Sequence, residues 1–101
     1  MIHVIAQVEL KEGQLEAFLR EFRQLVPQVL AEQGCIEYGP TVDAETELER
    51  QHTDPQMVTI IERWQSVEHL NAHLIAPHMH SYRERVKDMV IGVRLNILRP
   101  A

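Results

Sequence analysis

Four of the six histidines and the only tryptophan lie between Glu62 and His80. That stretch reads Glu62-Arg63-Trp64, then Ser66 through Leu74, then Ala76-Pro77-His78-Met79-His80. His69 and His73 are four residues apart and share one face of a helix. With His78 and His80 close behind, the spacing could hold a metal. It lacks the glutamate of the His-Glu-x-x-His zinc motif, and no third ligand is fixed, so no metal site is expected. His69, His78 and His80 equally suit surface or helix-capping positions. His73 differs, because it precedes the apolar residue Leu74 and should sit where core meets solvent. An imidazole there can face a pocket and exchange a proton near neutral pH. Trp64 ends an apolar run just before this helix. Its indole can pack in the core, cover a flat aromatic ligand, or do both while donating one hydrogen bond.

Other chemistries find little support. There is no glycine-rich phosphate loop and no dinucleotide or flavin fingerprint. Cys35 has no basic neighbour to activate its thiol. Ser66 and Ser81 lack a nucleophile elbow. If the chain does redox work, either the substrate supplies the electrons or a cofactor such as haem is borrowed without a fixed motif.

The elements that must position these residues follow from periodicity. Residues 2–10 alternate as a strand, with Ile2, Val4, Ala6, Val8 and Leu10 on one face and His3, Ile5, Gln7 and Glu9 on the other. After the Gly13 turn, residues 14–33 repeat apolar side chains at helical spacing, with Pro27 expected to kink the helix and Gly34 to stop it. Residues 35–42 read as a strand. Residues 43–56 are less regular, and Glu47–His52 could add a short edge strand. Met57–Trp64 is a strand rich in Val, Ile and Thr. Ser66 caps a short helix whose buried stripe is Val67, Leu70 and Leu74. Pro77 opens another helix, running to Gly92, and Val93–Leu98 forms the last strand. Two split βαβ-like halves in this order predict an α+β, ferredoxin-like sandwich with helices on one sheet face.

The chain has 101 residues, 45% hydrophobic, which fits a single domain spanning 1–101. So small a domain gains from burying its open sheet face against a second copy, and a homodimer is expected. A net charge of −5 argues against nucleic acid or an anionic membrane as partner. No apolar run approaches a membrane span, and no signal-peptide layout follows Met1. With one cysteine and no intrachain disulfide possible, a cytoplasmic protein is expected.

Lys11-Glu12-Gly13, Glu32-Gln33-Gly34-Cys35-Ile36-Glu37-Tyr38, Glu62-Arg63-Trp64, Leu70-Asn71-Ala72-His73-Leu74 and Ala76-Pro77-His78-Met79, in this order, resemble the antibiotic-biosynthesis monooxygenase family almost end to end. The segments around Val26-Pro27, Tyr38-Gly39-Pro40 and Ile97-Leu98-Arg99-Pro100 are similar to its bacterial quinol monooxygenase branch. The resemblance implies a dimeric α/β barrel of two ferredoxin-like protomers. It also implies oxidation of a quinol or related hydroxylated aromatic by molecular oxygen, with no cofactor, in a pocket between sheet and helices. On that reading His73 is the base and Trp64 the pocket face. His78, Tyr82 and Tyr38 supply donors, and His3 and Gln7 could complete the site. Ile60 and Leu70 stand where some antibiotic-pathway members carry Asn and Tyr, so only the Trp carries over from those. Haem-degrading members of the same fold use a first-strand Asn, the Trp and a helical His. Gln7, Trp64 and His73 are the counterparts here, so haem degradation is the alternative. A non-catalytic dimer binding a small aromatic is a third.

Overall fold

The computed structural model describes residues 1–101. Its elements are β1 (Ile2–Leu10), α1 (Leu15–Leu30), β2 (Cys35–Thr41), β3 (Met57–Trp64), α2 (Val67–Leu74), α3 (Pro77–Val86) and β4 (Val90–Leu98). The strands form one antiparallel sheet in the order β2-β3-β1-β4. This is the ferredoxin-like α+β arrangement, with the sheet open at both edges.

Register decides which side chains meet the helices. Val4 pairs with Glu62, Ala6 with Ile60 and Val8 with Val58, while Tyr38 pairs with Glu62 from the other side. Directly paired residues point to the same face, so these side chains share the helix-covered surface. There, Phe18, Phe22, Leu25 and Val29 of α1, Leu70 of α2, and Met79, Tyr82 and Val86 of α3 complete one buried apolar cluster. His3 and Gln7 pair with Arg63 and Thr59 on the opposite, helix-free face.

Local chemistry sets the boundaries. The α1 helix runs on through Pro27, which is exposed, so the Arg23 carbonyl that loses its donor can turn to water. It ends three residues earlier than its periodicity suggests, and Ala31, Glu32 and Gln33 form a turn instead. Gly34 follows with φ +82, and a Cβ there would collide with the His69 side chain. Only glycine fits this turn. Ser66 caps α2, its Oγ accepting from the His69 N–H at 3.2 Å.

Three expectations are corrected. No strand forms at Glu47–His52, whose residues are all exposed; Asp43 Oδ2 instead holds the loop by accepting from the Asp54 N–H at 2.7 Å. The last helix stops at Val86 rather than Gly92. Lys11 donates to the Met89 carbonyl and Leu10 pairs with Val90, which draws the chain into β4 early, with Gly92 inside the strand. Val67 is 46% exposed, and the buried side chains of α2 are Leu70 and His73. No helix is long and apolar enough to cross a membrane.

Candidate active site

A cavity of about 440 Å³ opens between the sheet and α2–α3. Ala6, Val8 and Ile60 form its apolar floor, and Glu62, Tyr38, His73 and Tyr82 bring polar atoms to it. Arg83 and Lys87 reach it from α3 and the residue after it. Its size and mostly apolar lining suit a small ring compound.

His73 lies deeper than its place beside Leu74 suggests, at 2% exposure. Its Nδ1 sits 2.8 Å from Glu32 Oε2, and His78 Nε2 sits 2.7 Å from the same oxygen. A carboxylate oxygen only accepts, so the His73 proton must be on Nδ1. The lone pair is left on Nε2, which has no partner within the chain. No fully buried side-chain N or O atom is unpartnered, so Nε2 reaches open space, and the cavity is what His73 lines. Burial holds the His73 pKa below its ordinary value, outweighing the opposing pull of Glu32. The ring is therefore mainly neutral at pH 7, with its Nε2 lone pair free to take a proton.

Glu62 is the second buried ionisable group, at 5% exposure. Trp64 Nε1 donates to its Oε1 at 2.9 Å. By the same accounting, the other oxygen opens on the cavity. Burial raises the Glu62 pKa to about 7, with Glu32 adding to the rise and the Trp64 bond resisting it. Both tyrosine hydroxyls are pushed well up by burial and stay protonated donors.

Trp64 is fully buried behind this lining rather than exposed within it. Its ring lies 4.7 Å from the His73 ring, between centroids, and its N–H fixes Glu62. It thus orients both groups from behind and does not itself line the cavity. Tyr38 stacks on Phe22 and meets His73 edge-on. Tyr82 packs edge-on against Phe18 and Phe22. His78 touches the site only through Glu32. His3 and Gln7 lie on the far sheet face, so the structure does not bring them to the cavity. That also places Gln7 on the opposite sheet face from Trp64 and His73.

Glu32, His73 and His78 place three ligand atoms within 4.8 Å of one another. Two ligands at tetrahedral zinc distances stand about 3.3 Å apart. The separations of 2.7 and 2.8 Å are instead those of hydrogen bonds.

Glu32 and Glu62 carry the site together with His73, and neither was singled out by spacing. Glu62 did leave a signal: it falls in phase with Val58, Ile60 and Trp64, on the apolar face of its strand. Glu32 left none, because its partner His73 is 41 residues away.

Fold and cavity together define a small α+β protein with a buried imidazole and a buried carboxyl lining a mostly apolar pocket. The chain belongs to the antibiotic biosynthesis monooxygenase family, whose sequence model matches residues 1–85. It is thus an oxidoreductase of the monooxygenase type. It is 41% identical to "Probable quinol monooxygenase YgiN" of Escherichia coli K12, over 99% of this chain and 98% of that one. Among solved structures, PA3566 from Pseudomonas aeruginosa is 26% identical with a TM-score of 0.81, over 99% of this chain and 94% of that one. A conserved protein from Methanosarcina mazei Go1 shares the fold with a TM-score of 0.84 at 24% identity, over 99% and 92%.

Proposed function

We propose that this protein oxidises a quinol or a related hydroxylated aromatic with molecular oxygen, without a bound cofactor. The observation that carries the reading is the neutral His73, oriented through Nδ1 by Glu32 with Nε2 turned to an apolar cavity. The likeness to a relative named as a quinol monooxygenase supports the substrate class.

His73 Nε2 takes the proton of a ring hydroxyl, and the resulting anion gives one electron to oxygen. Superoxide and the ring radical then combine at a ring carbon. Protonation of that peroxide by His73, cleavage of the O–O bond and loss of the ring C–H proton give a hydroxylated quinone and water. If the pair does not combine, a second electron yields quinone and hydrogen peroxide. Tyr38 and Tyr82 are donors placed to stabilise the anion in a site of low polarity. Glu32 holds the imidazole in the productive tautomer, as the orienting acid of a triad does.

A homodimer and a cytoplasmic setting belong to the same proposal. The helix-free face carrying Ile5 and Ile61 has no element packed on it, and Leu98 of β4, in register with His3 on that face, is 46% exposed. Sedimentation at micromolar concentration should give twice the 11.7 kDa chain mass; a monomer there would refute the dimer.

Oxygen uptake with reduced benzoquinols and naphthoquinols, using chelator-treated protein, tests the activity. Labelled oxygen should place one heavy atom in the product. Uptake no faster than with heat-killed protein would overturn the proposal.

A further inference from the structure

We propose that Glu62 is a second proton-transfer group of this cavity, and that the site is built for rings with two hydroxyls, one facing His73 and one facing Glu62. This rests on the quinol reading above and goes beyond it by assigning a second catalytic residue and a substrate pattern.

A hydroxyl that must lose a proton needs a base to take it, and the protonated tyrosines of this cavity are too weakly basic to do so. Arg83 and Lys87 carry only donors. Two proton acceptors remain: His73 Nε2 on the helical wall, and the free oxygen of Glu62 on the sheet floor. Both are fixed from behind by one side chain, since Trp64 bonds Glu62 Oε1 at 2.9 Å and packs its ring on His73. A buried carboxyl that served only packing would be expected to have both oxygens partnered within the chain. Here one is partnered and the other opens on the cavity.

The protons balance. A quinol gives one hydroxyl proton to His73 and one electron to oxygen. The remaining hydroxyl proton of the semiquinone passes to Glu62. When quinone is released, the second electron follows and both stored protons go to the reduced oxygen, making hydrogen peroxide. When oxygen enters the ring, His73 returns its proton to the peroxide. Glu62 protonates the hydroxide lost as the O–O bond breaks, and the ring C–H proton moves through His73 to the second ring oxygen. Both residues end as they began.

The groups around Glu62 set its titration. Cys35 and Tyr38 approach from β2, Glu32 from the preceding turn, His73 from α2, and Tyr82 and Arg83 from α3. Lys87 lines the same cavity. Trp64 is the only tryptophan, so its fluorescence reports Glu62 without turnover.

Wild type, Glu62→Gln and His73→Ala should be titrated from pH 4.5 to 9. A fluorescence transition near neutrality, absent from Glu62→Gln and kept in His73→Ala, is expected. Anaerobic binding of a naphthoquinol and of its mono-methyl ether, read by Trp64 quenching, comes next. Glu62→Gln should weaken quinol binding about tenfold, and ether binding by less than twofold. In oxygen, it should lower quinol turnover by about 10²-fold. Equal losses for both ligands, or unchanged quinol binding and turnover, would overturn the proposal. If the wild type binds quinol in this pattern but never turns it over, the quinol reading fails as an activity while the two-acceptor site stands.

Discussion

His73 Nδ1 and Glu32 Oε2 lie 2.8 Å apart, joining the middle of α2 to the turn that follows α1. This contact assigns the tautomer of His73 and so decides that its free lone pair belongs to the cavity.

Replacing Glu32 with Gln should therefore act through His73. Glu32 raises the His73 pKa by its hydrogen bond and its charge. Without that charge, the imidazole should titrate lower still. His73, followed by NMR, should titrate at lower pH, with the kcat/KM plateau reduced about 10- to 100-fold. A Glu32→Gln profile that overlays the wild type would remove Glu32 from this role.

Glu62 should make the fold sensitive to alkaline pH. Its folded pKa is raised from 4.5 to about 7, so the folded state binds the proton more tightly than the unfolded chain does. Its contribution is fully present below pH 4.5 and is lost as pH rises through 7. The shift corresponds to about 3 kcal/mol. Glu62→Gln should then be more stable than wild type at pH 8, by up to that amount, and no more stable at pH 4. Urea denaturation at the two pH values measures both.

Trp64→Phe keeps an aromatic ring but removes the donor to Glu62. A buried acceptor left without its partner costs about 1–3 kcal/mol. Because that bond holds the Glu62 pKa down, its loss should also push the carboxyl further up. Circular dichroism of thermal unfolding should show the destabilisation growing from pH 5 to pH 8.

Gly34→Ala should cost stability and activity together. The positive φ alone is unfavourable for alanine, and the new methyl would meet the His69 ring. A loss of at least about 2 kcal/mol in chemical denaturation is expected. Because the same turn carries Glu32, turnover of the folded fraction should fall as well.

Much of this architecture was legible in the chain. The alternation from Ile2 to Leu10 and from Met57 to Trp64 gave those strands their observed bounds, because one buried face imposes period two. The phase of β1 also told His3 and Gln7 apart from Ala6 and Val8. What alternation alone left open was which face the helices cover, and therefore which of these residues meets the cavity. The start of β4 was hidden because Val90 satisfies both a helical stripe and a strand pairing, and Leu10 settles it from 80 residues away. His73 and Trp64 stood out as rare types in a compact stretch. Glu32 is a common residue in an ordinary helix-ending turn, and only the fold brings it to His73.

The central claim is that His73 is the base. The most direct test is oxygen uptake by chelator-treated wild type and His73→Ala, with the same naphthoquinol, above the autoxidation rate. Loss of about 10²- to 10⁴-fold in the variant, with its fold intact by circular dichroism, is the predicted result. A folded His73→Ala protein that consumes oxygen as fast as the wild type would contradict it.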